Sequence, residues 1–150
     1  MTHLIVGDKA PYFETFNHRG EKLTLTGYKG KKIVLYFYPK DSTPGCTMQA
    51  CNLRDNFEHL SNKGFVIFGV SNDSEKSHNK FIEKHDLPFD LLMDEDKKIV
   101  NLFGIYGLKK FMGREYNGIH RTTFIIDENG IITDIIEKVK TKDHTSQIIK

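Results

Sequence analysis

Residues 33 to 71 read IVLYFYPKDSTPGCTMQACNLRDNFEHLSNKGFVIFGVS. The stretch opens and closes on continuous apolar and aromatic runs, Ile33 to Tyr38 and Phe65 to Ser71. Such runs, without polar alternation, are the pattern of strands buried on both faces of a parallel sheet, so both are predicted to be central strands. The residues between them have the signals of a helix. Thr43 is a candidate N-cap, Pro44 suits the first helical position, and Gly64 supplies the C-terminal stop. One helix from Thr43 to Gly64 is therefore expected, completing a βαβ unit. At about 100° per residue, Ala50, Leu53, Phe57 and Leu60 fall within about 40° of Cys46 on either side, so Cys46 begins a buried stripe.

Working outward, Tyr12 to Phe16 and Lys22 to Leu25 flank the turn-forming group Asn17-His18-Arg19-Gly20 and read as a short N-terminal hairpin. After the second central strand, Asn72 with Glu75 has capping-box spacing for a helix through Lys84, ended by Pro88. Asp94 is placed to cap a further helix that stops at Gly104. Thr122 to Asp127 and Ile131 to Ile136 surround Glu128-Asn129-Gly130 and read as a closing hairpin. The sum is an α/β chain with a hairpin entry, a βαβ unit and an antiparallel exit. That order is thioredoxin-like: a central mixed sheet flanked by helices.

A chain of 150 residues has the common length of one domain, and folded alone it would bury roughly 68 to 70% of its unfolded surface. No repeat, low-complexity stretch or linker divides it, so residues 1 to 150 are expected to form a single domain. Composition is that of an ordinary globular protein, with 38% hydrophobic and 28% charged residues. The 22 basic and 20 acidic residues are dispersed, which leaves no basic footprint for nucleic acid. The apolar runs are far shorter than the roughly 18 to 20 residues of a membrane span, and Met1 to Gly7 carries no secretory pattern, so a cytoplasmic location is expected.

Two cysteines occur, Cys46 and Cys51, with four residues between them. In a compartment that keeps thiols reduced, redox chemistry or inert core packing is the stronger expectation than a structural disulfide. Cys46 falls in the first helical turn, where unpaired N–H groups and the helix dipole stabilise a thiolate. Free cysteine is also a common small core hydrophobe, and position alone leaves the two readings level.

The run Pro39-Lys40-Asp41-Ser42-Thr43-Pro44-Gly45-Cys46 sets a proline, a hydroxyl and a cysteine at PxxxTxxC spacing after a buried strand. Here the chain resembles the peroxiredoxins. Tyr36-Phe37-Tyr38-Pro39-Lys40, Thr43-Pro44-Gly45-Cys46-Thr47 and Cys51 resemble the subfamily of bacterioferritin comigratory protein, or peroxiredoxin Q. The likeness extends through Gly69-Val70-Ser71 with Asp73, Leu91 to Asp94, Tyr106-Gly107 and Gly118 to Asp127. It departs at the end, where Thr145 to Lys150 only begins a terminal helix that runs further in relatives.

The resemblance implies a thiol peroxidase reducing hydrogen peroxide or organic hydroperoxides. Cys46 would be the peroxidatic thiolate and Cys51 the resolving cysteine that closes a disulfide with it. Thr43 would hydrogen-bond thiolate and peroxide, Arg121 would stabilise the thiolate and the charge developing as the O–O bond breaks, and Pro39 would shield the pocket. Fixed donors aimed at such charge are the main source of rate in this chemistry. A thioredoxin-like dithiol protein would return the electrons. No cofactor or metal is implied, and an internal resolving cysteine favours a monomer.

Read alone, each of these residues has a plainer role: Thr43 an N-cap, Arg121 a solvated strand-end charge, Pro39 a strand terminator. His120 is expected to be structural, since an ionised Cys46 needs no general base. The seven histidines have no metal-ligand spacing, and Gly27-Tyr28-Lys29-Gly30-Lys31 lacks the glycines of a phosphate loop. Phe111-Met112-Gly113 reads as a packed loop, with a lip of the substrate pocket as the alternative. Two rivals stand beside the peroxidase. A thioredoxin-like disulfide oxidoreductase would want its cysteines two residues apart, and a non-enzymatic binding module would leave both thiols inert.

Overall fold

A computed structural model describes residues 1–150. Its centre is a five-stranded sheet in the order β5 (Asp90–Met93), β4 (Phe65–Ser71), β3 (Lys32–Phe37), β8 (Thr122–Ile126), β9 (Ile132–Ile136). β3 pairs in parallel with β4, which pairs in parallel with β5. On its other side β3 pairs antiparallel with β8, and β8 pairs antiparallel with β9. The two runs expected to be central are therefore adjacent, and β3 is the middle strand.

Pleating sorts the residues of β3 into two cores. Ile33, Leu35 and Phe37 join Phe13, Val70, Phe103 and Phe124 on one face. Val34 and Tyr36, followed by Tyr38, join Cys46, Ala50, Leu53, Leu60 and Phe81 on the other. Because both faces are covered, the strand carries no polar alternation. Gly69 of β4 has a packing reason: a Cβ there would lie 2.8 Å from both Leu91 Cδ2 and Tyr36 Cζ, so only glycine lets the Tyr36 ring cross the strand.

The first face is closed by the hairpin β1 (Glu14–Phe16) and β2 (Lys22–Thr24), as expected, and by α4 (Lys98–Leu102). The Asp94 carboxylate accepts from the amides of Ile99 and Val100 at 2.9 and 3.0 Å, the capping role expected of it. Burial raises its pKa to about 6, against the pull of those two N–H groups.

The second face is closed by helices, and here the expectations need correction. The single helix expected from Thr43 to Gly64 is two: α1 (Pro44–Asp55) and α2 (Phe57–Asn62). The break falls at Asn56, whose Nδ2 donates to the Asn52 carbonyl at 2.8 Å, a side chain competing for a backbone acceptor. α3 (Glu75–His85) is capped by Ser74, which accepts from Ser77 N, rather than by Asn72. Asn72 instead donates to the Asp94 carbonyl. α3 stops at Asp86, in the left-handed region at φ 49°, before Pro88 is reached. A short α5 (His144–Ile148) lies beside α1, with Ile148 buried in the second core.

The largest departure is a hairpin, β6 (Tyr106–Phe111) and β7 (Arg114–Ile119). Met112 and Gly113 form its turn at φ 52° and 78°, the left-handed pair a two-residue turn needs. Its tip is not the packed loop expected, for Phe111 is 65% and Met112 87% exposed.

Candidate active site

Strand register brings the site together. Phe37, the last residue of β3, pairs with Thr122, the first of β8, so the segment leaving β3 runs beside the segment entering β8. The first carries Pro39, Thr43 and Cys46, and the second carries Arg121. Residues 75 positions apart thereby meet, with Arg121 Nη2 donating to Cys46 Sγ at 3.3 Å.

Cys46 is 2% exposed and stands in the first turn of α1. The first backbone bond into this turn is Thr47 N to Thr43 O, at 2.9 Å. The amides of Gly45 and Cys46 precede it and take no partner in the chain, so two N–H donors stay free at the positive end of the helix. The guanidinium is the donor that contacts the sulfur, and the two free amides belong to the same helical turn. An arginine donor on the sulfur and free amides in the same turn are groups that can meet negative charge on the sulfur or on an approaching oxygen.

The Arg121 guanidinium is held by a residue that the sequence reading missed. Nη1 donates to Gln49 Oε1 at 2.6 Å, and Gln49 is fully buried one helical turn beyond Cys46. Its signal was a polar side chain three positions after Cys46, on a face otherwise apolar. Arg121 thus spans Cys46 and Gln49 with its two terminal nitrogens, which the planar fork of arginine allows.

Thr43 occupies the N-cap position but makes no capping bond. Its Oγ1 donates to the Lys40 carbonyl at 2.8 Å, which spends the hydroxyl proton and leaves the oxygen's lone pairs to accept. Pro39 is half-buried, directly after Tyr38. The loop they share is pinned from below by Asp41. Its carboxylate accepts from Tyr38 and Ser77 hydroxyls at 2.5 and 2.9 Å and faces His78 Nδ1 at 2.7 Å, while its amide donates to Asp73. His78 Nε2 meets the Leu92 carbonyl at 3.0 Å. Asp41, Asp73 and His78 are close enough to suggest metal ligands, but serine and tyrosine hydroxyls already occupy their oxygens.

His120 makes no hydrogen bond to Cys46. Its Nε2 faces the Leu108 carbonyl at 3.0 Å, which puts the ring's proton there and ties β6 to the start of β8. Lys109 Nζ donates to the Ile119 carbonyl at 2.9 Å. Burial lowers its pKa, and the neighbouring Arg121 charge adds to that.

Cys51 also lies on α1 but is only half-buried. Its Sγ is 3.9 Å from His85 Nδ1, and Arg54 Nη1 donates to the His85 carbonyl at 2.8 Å. Burial lowers the pKa of His85, and the charges of Lys84 and Arg54 lower it further. Both cysteines are free thiols.

A thioredoxin-type sheet that presents a desolvated thiol to a fixed cation and free amides defines a thiol peroxidase. Comparison with known proteins agrees. Residues 6–135 match the AhpC/TSA family. Peroxiredoxin Bcp of Bacillus subtilis is 50% identical over 145 residues, covering 97% of this chain and 92% of that protein. Among solved structures, a mutant of the Xylella fastidiosa peroxiredoxin Q superposes with a TM-score of 0.92 at 28% identity, covering 99% of this chain and 94% of that one. The bacterioferritin comigratory protein of Xanthomonas campestris reaches 0.85 at 33% identity, covering 91% and 87%. The chain belongs to the AhpC/TSA family, and within it to the peroxiredoxins similar to Bcp and peroxiredoxin Q.

Proposed function

We propose that Cys46 is the peroxidatic nucleophile and Cys51 its resolving partner, in a peroxidase acting on hydrogen peroxide and organic hydroperoxides. The observation that carries this is the 3.3 Å contact from Arg121 Nη2 to a buried sulfur in a helix's first turn. The Cys46 thiolate attacks the terminal peroxide oxygen, a sulfur–oxygen bond forms as the O–O bond breaks, and the departing oxygen leaves as water or an alcohol after taking a proton. Arg121 and the free amides of Gly45 and Cys46 meet the charge that moves from sulfur to oxygen. Thr43 Oγ1 accepts from the peroxide's O–H and orients it, and Pro39 keeps water off the thiolate. The Xanthomonas relative is described with alkyl peroxide reduction activity, which supports the organic substrates.

In the second step Cys51 displaces hydroxide from the Cys46 sulfenic acid. A thioredoxin-like dithiol then reduces the disulfide, with no cofactor or metal. A resolver in the same chain makes a partner subunit unnecessary, so the protein acts as a monomer and a single domain. No helix is long and apolar enough to cross a membrane, and the cytoplasm is the proposed location.

The second step demands movement. Both cysteines lie on the unbroken α1, and residues five apart on a helix are turned by about 140° with Cα atoms roughly 8.5 Å apart. A disulfide needs Cα atoms within about 7 Å and converging Cβ vectors. Resolution therefore unwinds α1 between about Thr43 and Arg54. The test is one equivalent of peroxide added to reduced protein, followed by disulfide mapping and hydrogen exchange. An internal Cys46 to Cys51 bridge with loss of amide protection from Cys46 to Arg54 is expected. Disulfide-linked dimers on a non-reducing gel, or full protection after a confirmed internal bridge, would overturn the internal-resolver reading.

A further inference from the structure

If α1 must open for Cys51 to reach Cys46, the contacts that hold α1 shut govern how long the sulfenic acid waits. Asn52, directly after Cys51, makes three of them with its side chain. Its Oδ1 accepts from the amide and the hydroxyl of Thr145, each at 2.8 Å, and its Nδ2 donates to the Lys142 carbonyl at 3.2 Å. Thr145 lies in the first turn of α5, where amides lack intrahelical partners, and Asp143 at the N-cap position makes no side-chain bond. Asn52 supplies from another helix the cap that α5 lacks.

α5 is in turn anchored to the sheet. Gln147 Oε1 can only accept, so His144 carries its proton on Nδ1 and donates there at 2.9 Å, leaving Nε2 to accept from Thr123 of β8 at 2.8 Å. Gln147 Nε2 donates to the Lys138 carbonyl, Lys150 pairs with Asp134 of β9 at 2.8 Å, and Ile148 is buried. Through the Asn52 carboxamide the middle of α1 is tied to α5, and through α5 to β8 and β9, beside the Arg121 contacts at its start and the buried Ala50 and Leu53. Two weaker ties lie near Cys51: its own 3.9 Å contact with His85 Nδ1, and a single bond from Arg54, a side chain one-third exposed, to the His85 carbonyl.

We propose that Asn52 is a positioning residue for resolution: its bonds to α5 delay the opening of α1 and so set how the Cys46 sulfenic acid divides between disulfide and overoxidation. The proposal rests on the assignment of Cys46 and Cys51 made above. The step it slows is balanced within the chain. The Cys46 S–O bond breaks, the Cys46 to Cys51 S–S bond forms, and hydroxide leaves with the Cys51 proton as water. A second peroxide reaching the sulfenic acid first makes sulfinic acid instead.

The test is Asn52→Ala, followed by rapid mixing with hydrogen peroxide, acid quench, thiol alkylation and mass spectrometry. Sulfenic acid should form within about twofold of the wild-type rate, because oxidation uses the closed helix and Asn52 does not touch Cys46. Disulfide closure should be about tenfold faster, since three hydrogen bonds no longer have to break, and less sulfinic acid should accumulate at excess peroxide. Helix propensity predicts the opposite sign. Alanine favours helix over asparagine, so if α1's own stability limited opening, closure would slow. Thr145→Val removes one bond from the α5 side without altering α1, and should speed closure by about threefold. Closure no faster in either variant, in a wild type that closes normally, overturns the proposal and leaves the cysteine assignment standing. Loss of Cys46 oxidation rate in step with the change in closure overturns it too, because the role would then be merely structural. A wild type that forms no internal disulfide removes the assignment and the proposal together.

Discussion

Cys46 and Cys51 share a helix and stand five residues apart, yet their surroundings differ in every respect that matters to a thiol. Cys46 is desolvated, held by Arg121, and set at the helix end where amides are free. Cys51 sits past the middle of the helix, where the amides are spent on backbone bonds, half-open to solvent, with a histidine 3.9 Å away. One site is built so that nothing moves while charge crosses from sulfur to oxygen. The other is joined to its surroundings by contacts that can be given up. A helix carrying both must be rigid for the first step and open for the second; its start follows the loop pinned by the buried Asp41 network, while Asn52 ties its middle to α5.

The contrast makes graded predictions for the rate of the first step. Cys46→Ser should abolish peroxide consumption altogether, and consumption at the wild-type rate would transfer the nucleophile's role elsewhere. Arg121→Lys should cost roughly 10²-fold in the rate of Cys46 oxidation, the usual scale for losing a fixed donor to developing charge. Lysine keeps the positive charge but cannot reach Cys46 and Gln49 with two nitrogens of one plane. Stopped-flow oxidation with a thermal melt on the same sample is the measurement. An unchanged rate would return Arg121 to an ordinary strand-end charge.

A smaller loss is expected at Thr43, where the structure separates two readings that the sequence left joined. Since Oγ1 makes no capping bond, Thr43→Val removes a hydroxyl without removing a cap. The rate of Cys46 oxidation should fall by about tenfold, near the value of one hydrogen bond in the transition state, with little change in melting temperature. A fall in stability with no fall in rate would mean that the bond to the Lys40 carbonyl is the hydroxyl's only task.

These residues also mark how far the fold could be read from the chain. β3, β4, the start of α1 and both outer hairpins were legible because burial on two faces, proline at a helix start and turn residues leave local patterns. Cys46, Thr43 and Pro39 lie within one such pattern, and their grouping was visible. Arg121 was found through resemblance alone, since nothing near it in sequence says that β8 pairs with β3. Gln49 was missed because a buried glutamine makes sense only once Arg121 is beside it. The β6–β7 hairpin was missed because its turn is Met112-Gly113 rather than an asparagine or aspartate pair, and its strands are largely exposed. The break at Asn56 depends on one side chain reaching back a turn, which helix periodicity does not record.

The smallest effect on the first step is expected at Cys51, and it is the sharpest test of the contrast. Cys51 makes no hydrogen bond to Arg121 or Thr43, its one hydrogen-bonding side-chain partner is His85, and serine keeps its size. Cys51→Ser should therefore consume one equivalent of peroxide within about twofold of the wild-type rate, because the donors around Cys46 are untouched. Catalysis should then stop. With no resolving thiol the sulfenic acid persists, a dimedone adduct should form on Cys46 in full yield, and excess peroxide should drive it to sulfinic acid. Turnover with a dithiol reductant at the wild-type rate would show that Cys46 is reduced directly and that Cys51 is not its resolver. A tenfold slower first oxidation would show that the outer face of α1 shapes the inner one, and that the two regions are a single site.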